Sequence, residues 1–136
     1  MISLDTNILV RFLTQDEPRQ ARAASDLISG LTEDNPAFVC REVLVELVWV
    51  LERSYGFSRS KIAGALVGLL AAIELIIEEA DSVGAILHLY DGKGFGFSEL
   101  MIRQASRRSG SQHLATFDKK AALLDDVVLV GLKRRQ

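Results

Sequence analysis

Five short apolar runs, ISL at 2–4, AFVC at 37–40, LII at 75–77, HLAT at 113–116 and VVLV at 127–130, alternate with longer stretches that carry apolar residues at helical spacing. Runs this short are strands, and strands joined by helices return to the same edge of a sheet as parallel neighbours. The pattern therefore predicts an α/β fold with a short parallel central sheet and helices on both faces. Helices are predicted through NILVRFLT, ARAASDLISGL, the stretch from Glu42 to about Tyr55, Ser58 or Ser60 to about Ala72, Ser82 to about Tyr90, and Ser98 to Ser109, with a helical turn at DKKAALL. No repeat, linker or low-complexity segment interrupts this order, so the 136 residues read as a single domain, 1–136.

Composition removes several classes of function. Apolar residues make up 49% and charged ones 25% of the chain, a globular balance. The most apolar stretch, IAGALVGLLAAI, is shorter than the roughly 20 residues that cross a bilayer. No membrane role is expected. MISLD lacks the basic and apolar regions of a signal peptide, which predicts a cytoplasmic protein. Cys40 is the only cysteine and lies far from His88 and His113, which excludes an intramolecular disulfide and a cysteine-rich zinc site. Gly92, Gly94 and Gly96 form a loop without the GK[ST] ending of a phosphate-binding loop. Gly64, Gly68 and Ala72 recur every fourth residue and suit either internal helix packing or a subunit contact.

The acids are the informative residues. In an open parallel sheet, sites form beyond the carboxyl ends of the strands. Asp5 follows the first strand, Asp118 follows HLAT, Glu46 lies in the second turn of the helix after AFVC, and Glu99 lies in the first turn of its helix. Four acids from separate segments can thus converge. Singly, Asp5 and Asp118 read equally well as helix caps, and Glu99 as an acid favoured by a helix N-terminus. Glu46, flanked by Val45, Leu47, Val48 and Trp49, is expected close to apolar packing and in need of a partner. Crowded carboxylates raise one another's pKa values unless a cation neutralises them. Oxygen donors without His or Cys point to Mg2+ or Mn2+, which can activate a water and neutralise a phosphate.

SLDTN, VLVELVWVLE and ATFDKKAA, in this order and spacing, resemble the PIN-domain ribonucleases and, among them, the VapC-like toxins of type II toxin–antitoxin pairs. The resemblance covers nearly the whole chain and implies a single PIN-like domain. Asp5, Glu46, Glu99 and Asp118 fall on the family's metal-holding and catalytic positions, with Thr6, Asn7 and Thr116 orienting ligands or water. It also implies metal-dependent endonucleolytic cleavage of RNA, an antitoxin that blocks the site, and a homodimer. The chain departs from the family twice. Where the family has a block resembling DFxDA, this chain has GFSEL, with Glu99 for the usual Asp and Gly96 for the first acid. A side chain longer by a methylene displaces the carboxylate by about 1 Å, enough to cost about a hundredfold in rate.

A net charge of −2 looks unfavourable for an RNA enzyme, but setting the four acids aside leaves 14 acids against 16 basic residues. Arg103, Arg107, Arg108, Lys119 and Lys120 flank the proposed site and can hold an RNA backbone, or equally form a solvated face. The basic LKRRQ tail reads as a solubilising terminus. Leu44, Trp49 and the helix after Ser60 offer apolar surface for a dimer or an antitoxin. Two other readings stand beside the ribonuclease: a PIN fold that binds without cutting, favoured by Gly96 and Glu99, and a haloacid-dehalogenase-type phosphohydrolase. The second needs another Asp two residues after Asp5, where this chain has Asn7.

Overall fold

A computed structural model describes residues 1–131. The LKRRQ tail, at 132–136, lies outside the described residues. Strand β1 (Ile2–Ser3) leads into helix α1 (Thr6–Thr14), and α2 (Pro18–Ser29) precedes β2 (Ala37–Val39) and α3 (Arg41–Arg53). Helix α4 (Arg59–Ala71), β3 (Leu75–Ile77), α5 (Ala80–Gly92) and α6 (Phe97–Arg108) follow. The chain continues through β4 (Leu114–Thr116), a 3₁₀ turn (Ala121–Leu123) and β5 (Val127–Leu129). All strand pairs are parallel, which makes the fold α/β. Among the described residues the ladder has two parts, β1-β2-β3 and β4-β5, where the sequence suggested one sheet.

Local chemistry sets the helix ends. Ser58, not Ser60, caps α4, its hydroxyl accepting from Lys61 N at 3.1 Å. Helix α2 starts three residues before the predicted Ala21, because Pro18 stands at its start and the Glu17 carboxylate accepts from Arg19 N and Gln20 N. Helix α3 has Cys40 as its N-cap without a side-chain bond, and Glu78, just past β3, accepts from Arg41 N at 2.9 Å instead. Cys40 is accordingly half-buried at a helix entry rather than buried at a strand end. Helix α5 begins at Ala80, before the predicted Ser82, with Glu79 in the left-handed region (φ 56°) as its N-cap.

One apolar core runs from Leu4 through Leu44, Leu47, Leu51, Ile62 and Leu100 to Val127. Leu44, expected at the surface, is buried, whereas Trp49 is 55% exposed. Helix α3 packs against α1, which begins after Asp5, against α4, and against α6, which holds Glu99. The small-residue face of α4 points away from the rest of the chain. A Cβ at Gly64 or Gly68 would meet nothing within 4 Å, so among the described residues no neighbouring helix uses the space.

Candidate active site

Asp118 lies on the bend after β4, where Thr116 Oγ1 accepts from Asp118 N at 3.0 Å. Asp118 Oδ1 accepts from Lys120 N at 2.8 Å and Ala121 N at 3.0 Å, which ties the start of the 3₁₀ turn to one carboxylate oxygen. The Glu99 carboxyl faces the same group within hydrogen-bonding reach. The bond from Ala121 N is the largest influence holding Asp118 below the ordinary carboxylate range; the bond from Lys120 N, the contact with Glu99 and the Lys120 charge act the same way, and partial burial opposes them. This reverses the expectation that crowding raises the pKa: backbone N–H donors stabilise the anion more than its surroundings penalise it.

Asp5 is exposed at the end of β1, and its Oδ1 accepts from Thr6 N at 2.7 Å. Capping and ligation are therefore not exclusive for Asp5 or Asp118, since each cap occupies one oxygen and leaves the other. Thr6 Oγ1 is buried and has no hydrogen-bond partner among the described residues. Asn7 is exposed beside it.

Glu46 is placed differently from expectation. It is exposed, so its carboxylate is not stranded in the core; the buried face of α3 is formed by Leu44, Leu47, Val48 and Leu51. Its side chain borders an apolar groove of about 450 Å³ lined by Arg41, Val45, Trp49, Ser98, Met101 and Ile102 among others, between α3 and α6. The structure thus brings Glu99 and Asp118 together. It does not gather three His, Cys, Asp or Glu side chains into a group placed to hold a metal among the described residues.

The basic residues divide. Arg103 is buried, only 7% exposed, and its Nε donates to Asp125 O at 2.9 Å, which ties α6 to the turn before β5. Burial, reinforced by the Arg107 charge, pulls its pKa down from the ordinary arginine value. Arg107 pairs with Asp126 at 2.9 Å and Arg108 with Glu79 at 3.5 Å. Both pairs are solvent-exposed and weak enough to open for another anion. Lys119 and Lys120 are exposed next to Asp118, and Lys120 Nζ stands 5.5 Å from the Phe95 ring centre. Two residues of this region were missed in the sequence. Phe117, immediately before Asp118, is 70% exposed. Gly96 was seen only as a missing acid, yet Glu99 lies against the place where its side chain would begin.

A family model described as PIN domain matches residues 2–127. The chain belongs to the PIN-domain family. No curated protein matches it. A PIN domain is a nuclease fold, generally dependent on divalent metal, and membership removes the phosphohydrolase reading that Asn7 had already weakened.

The donor set present suits such a metal. Asp5, Glu46, Glu99 and Asp118 make no ion pair among the described residues, and Mg2+ is commonly held by only one or two carboxylates and its own waters. The facing Glu99 and Asp118 carboxyls meet that requirement, with the Thr116 hydroxyl nearby in the same bend.

Proposed function

We propose that this PIN-domain protein is a Mg2+- or Mn2+-dependent endoribonuclease that acts as the toxin of a toxin–antitoxin pair. The observation that carries the reading is the Glu99–Asp118 pair, a half-buried carboxyl on α6 facing an exposed one on the β4 bend, with no cation paired to either among the described residues. Glu99 and Asp118 would hold the ion, and Asp5 and Glu46 would complete its surroundings through the oxygens their local structure leaves free. When bound, such an ion lowers the pKa of a water and neutralises charge on a phosphodiester.

The chain's own residues do the rest. Backbone donors from Lys120 and Ala121 keep Asp118 ionised and fixed in direction, and Thr116 holds the bend that presents it. Lys119 and Lys120 supply positive charge beside the acids, and Phe117 offers an aromatic face on which an unpaired base can stack. Single-stranded or looped RNA is the substrate class this combination suits.

The groove that Glu46 borders, with Trp49 and Ile102 both more than half exposed, is the surface we assign to the antitoxin, which would cover the acids by filling it. The outward face of α4, with Gly64, Val67 and Gly68 exposed, is the surface we assign to a homodimer.

Incubating structured RNAs with the purified protein in Mn2+, with chelator and with Asp118→Asn tests the reading. Cleavage that needs both metal and Asp118 is the expected result. One observation favours the other reading, a PIN fold that binds RNA without cutting it: no three ligating side chains are grouped among the described residues. RNA retention without metal-dependent cleavage would establish that instead.

A further inference from the structure

Most glycines of this chain have an ordinary reason to be glycine or none at all. Gly56, Gly94 and Gly110 adopt positive φ, at +63°, +74° and +83°, where a side chain is strained. Gly64 and Gly68 face open space. Gly96 fits neither description. Its backbone, φ −65° and ψ 138°, is one that any residue adopts. A Cβ built there would nevertheless lie 3.2 Å from Glu99 Oε2, 3.3 Å from Cδ and 3.6 Å from Cγ. The carboxyl end of Glu99 has folded back along the first turn of α6 and lies against the place where a side chain at 96 would begin.

This fold-back has a physical cause. Gly96 is the N-cap of α6 and gives it no side-chain cap, so the free N–H groups of that turn make a positive end. An acidic side chain in that first turn is favoured. In the same pose Glu99 faces Asp118. A Cβ at position 96 would press on it and oblige the carboxyl to give by a few tenths of an ångström.

We infer that Gly96 is a positioning residue, whose missing side chain lets the longer Glu99 fold back over the start of α6 and face Asp118. Gly96 and Glu99 are then one compensated pair: the extra methylene of Glu is accommodated by the Cβ that glycine lacks.

Two measurements test this. The first needs no metal and no variant: in the metal-free protein, NOEs from the Glu99 Hγ protons to the Gly96 Hα protons are expected, and their absence overturns the inference whatever the function. The second is a calorimetric Mn2+ titration of wild type, Gly96→Ala, Glu99→Asp and the double variant, and it rests on the proposed metal site. Gly96→Ala should weaken Mn2+ binding about tenfold or more, the size expected when a group that orients a ligand is disturbed. In the Glu99→Asp background the same change should cost less than about twofold, because the shorter side chain stays clear of the new methyl group. Equal losses in both backgrounds, or no loss in the first, would overturn the coupling. If wild type binds no Mn2+, the metal reading fails by itself, and the NOEs alone decide the role of Gly96.

Discussion

Asp118 performs a structural task with one oxygen and has another to spend. Its Oδ1 accepts two backbone N–H groups, and an asparagine oxygen can accept the same two. Asp118→Asn should therefore leave the metal-free protein within about 0.5 kcal/mol of wild type while removing metal binding, whereas Asp118→Ala should also lose the cap, at about 1 kcal/mol. Denaturant unfolding of both variants, alongside Mn2+ titration, checks the split; equal destabilisation by Asn and Ala would mean that the negative charge itself holds the turn. From the sequence, cap and ligand looked like rival explanations of Asp5 and Asp118, because a string of letters does not show how many oxygens a cap consumes. The exposure of Glu46 was illegible for a related reason. Its neighbours in the chain are apolar, but at 100° per residue they turn to other sides of α3, and only packing shows which side is wet.

At the scale of elements, periodicity and capping residues placed the six helices and five strands of the described residues, and the cap of α4 was narrowed to Ser58 or Ser60 because a serine before a helical run has one dominant use. The ends that depended on distant groups were not readable: Glu78 satisfying Arg41 N is an interaction across 37 positions of sequence. Arg103 shows the same limit. In sequence it belongs to a basic stretch, yet on α6 it is the arginine that turns inward to Asp125 O. Arg103→Ala is predicted to destabilise the fold by about 2 kcal/mol, through a lost charge-assisted bond and a lost packed stem, because it unties α6 from the turn before β5. Lys119→Ala should leave stability within about 0.5 kcal/mol of wild type and weaken RNA binding. Thermal unfolding and RNA titration of the two variants separate the roles. A destabilising Lys119→Ala with a silent Arg103→Ala would reverse the assignment.

The molecule as a whole is joined across α3, α4, α5 and α6 by one polar contact set inside the core. Tyr90, fully buried on α5, donates through its hydroxyl to Glu52 Oε2 on α3 at 2.7 Å. The guanidinium of Arg59 on α4 lies 4.6 Å from the Tyr90 ring centre and donates to Tyr90 O and Phe95 O. Phe97, the first residue of α6, meets the ring edge-on at 5.8 Å. Burial first, and the Glu52 carboxylate second, push the Tyr90 phenol above its ordinary value of 10.0. A pKa raised by folding means that the folded state holds the proton more tightly than the unfolded chain does. The associated stability is complete below pH 10 and declines as pH rises above it, because the unfolded phenol ionises there while the folded one still holds its proton. The slope from this one group is at most about 1.4 kcal/mol per pH unit. Tyr90→Phe should lower stability at pH 7 by about 1–3 kcal/mol, since Glu52 loses its buried donor, and should flatten the decline between pH 10 and 11 by up to that slope. Urea unfolding at pH 7, 10 and 11 measures both effects, and every other ionisable group is common to both proteins and cancels in the comparison. If the two proteins lose stability in parallel above pH 10, Tyr90 ionises without unfolding and the contact set yields locally. A flattened curve for the variant would show that these four helices separate only together.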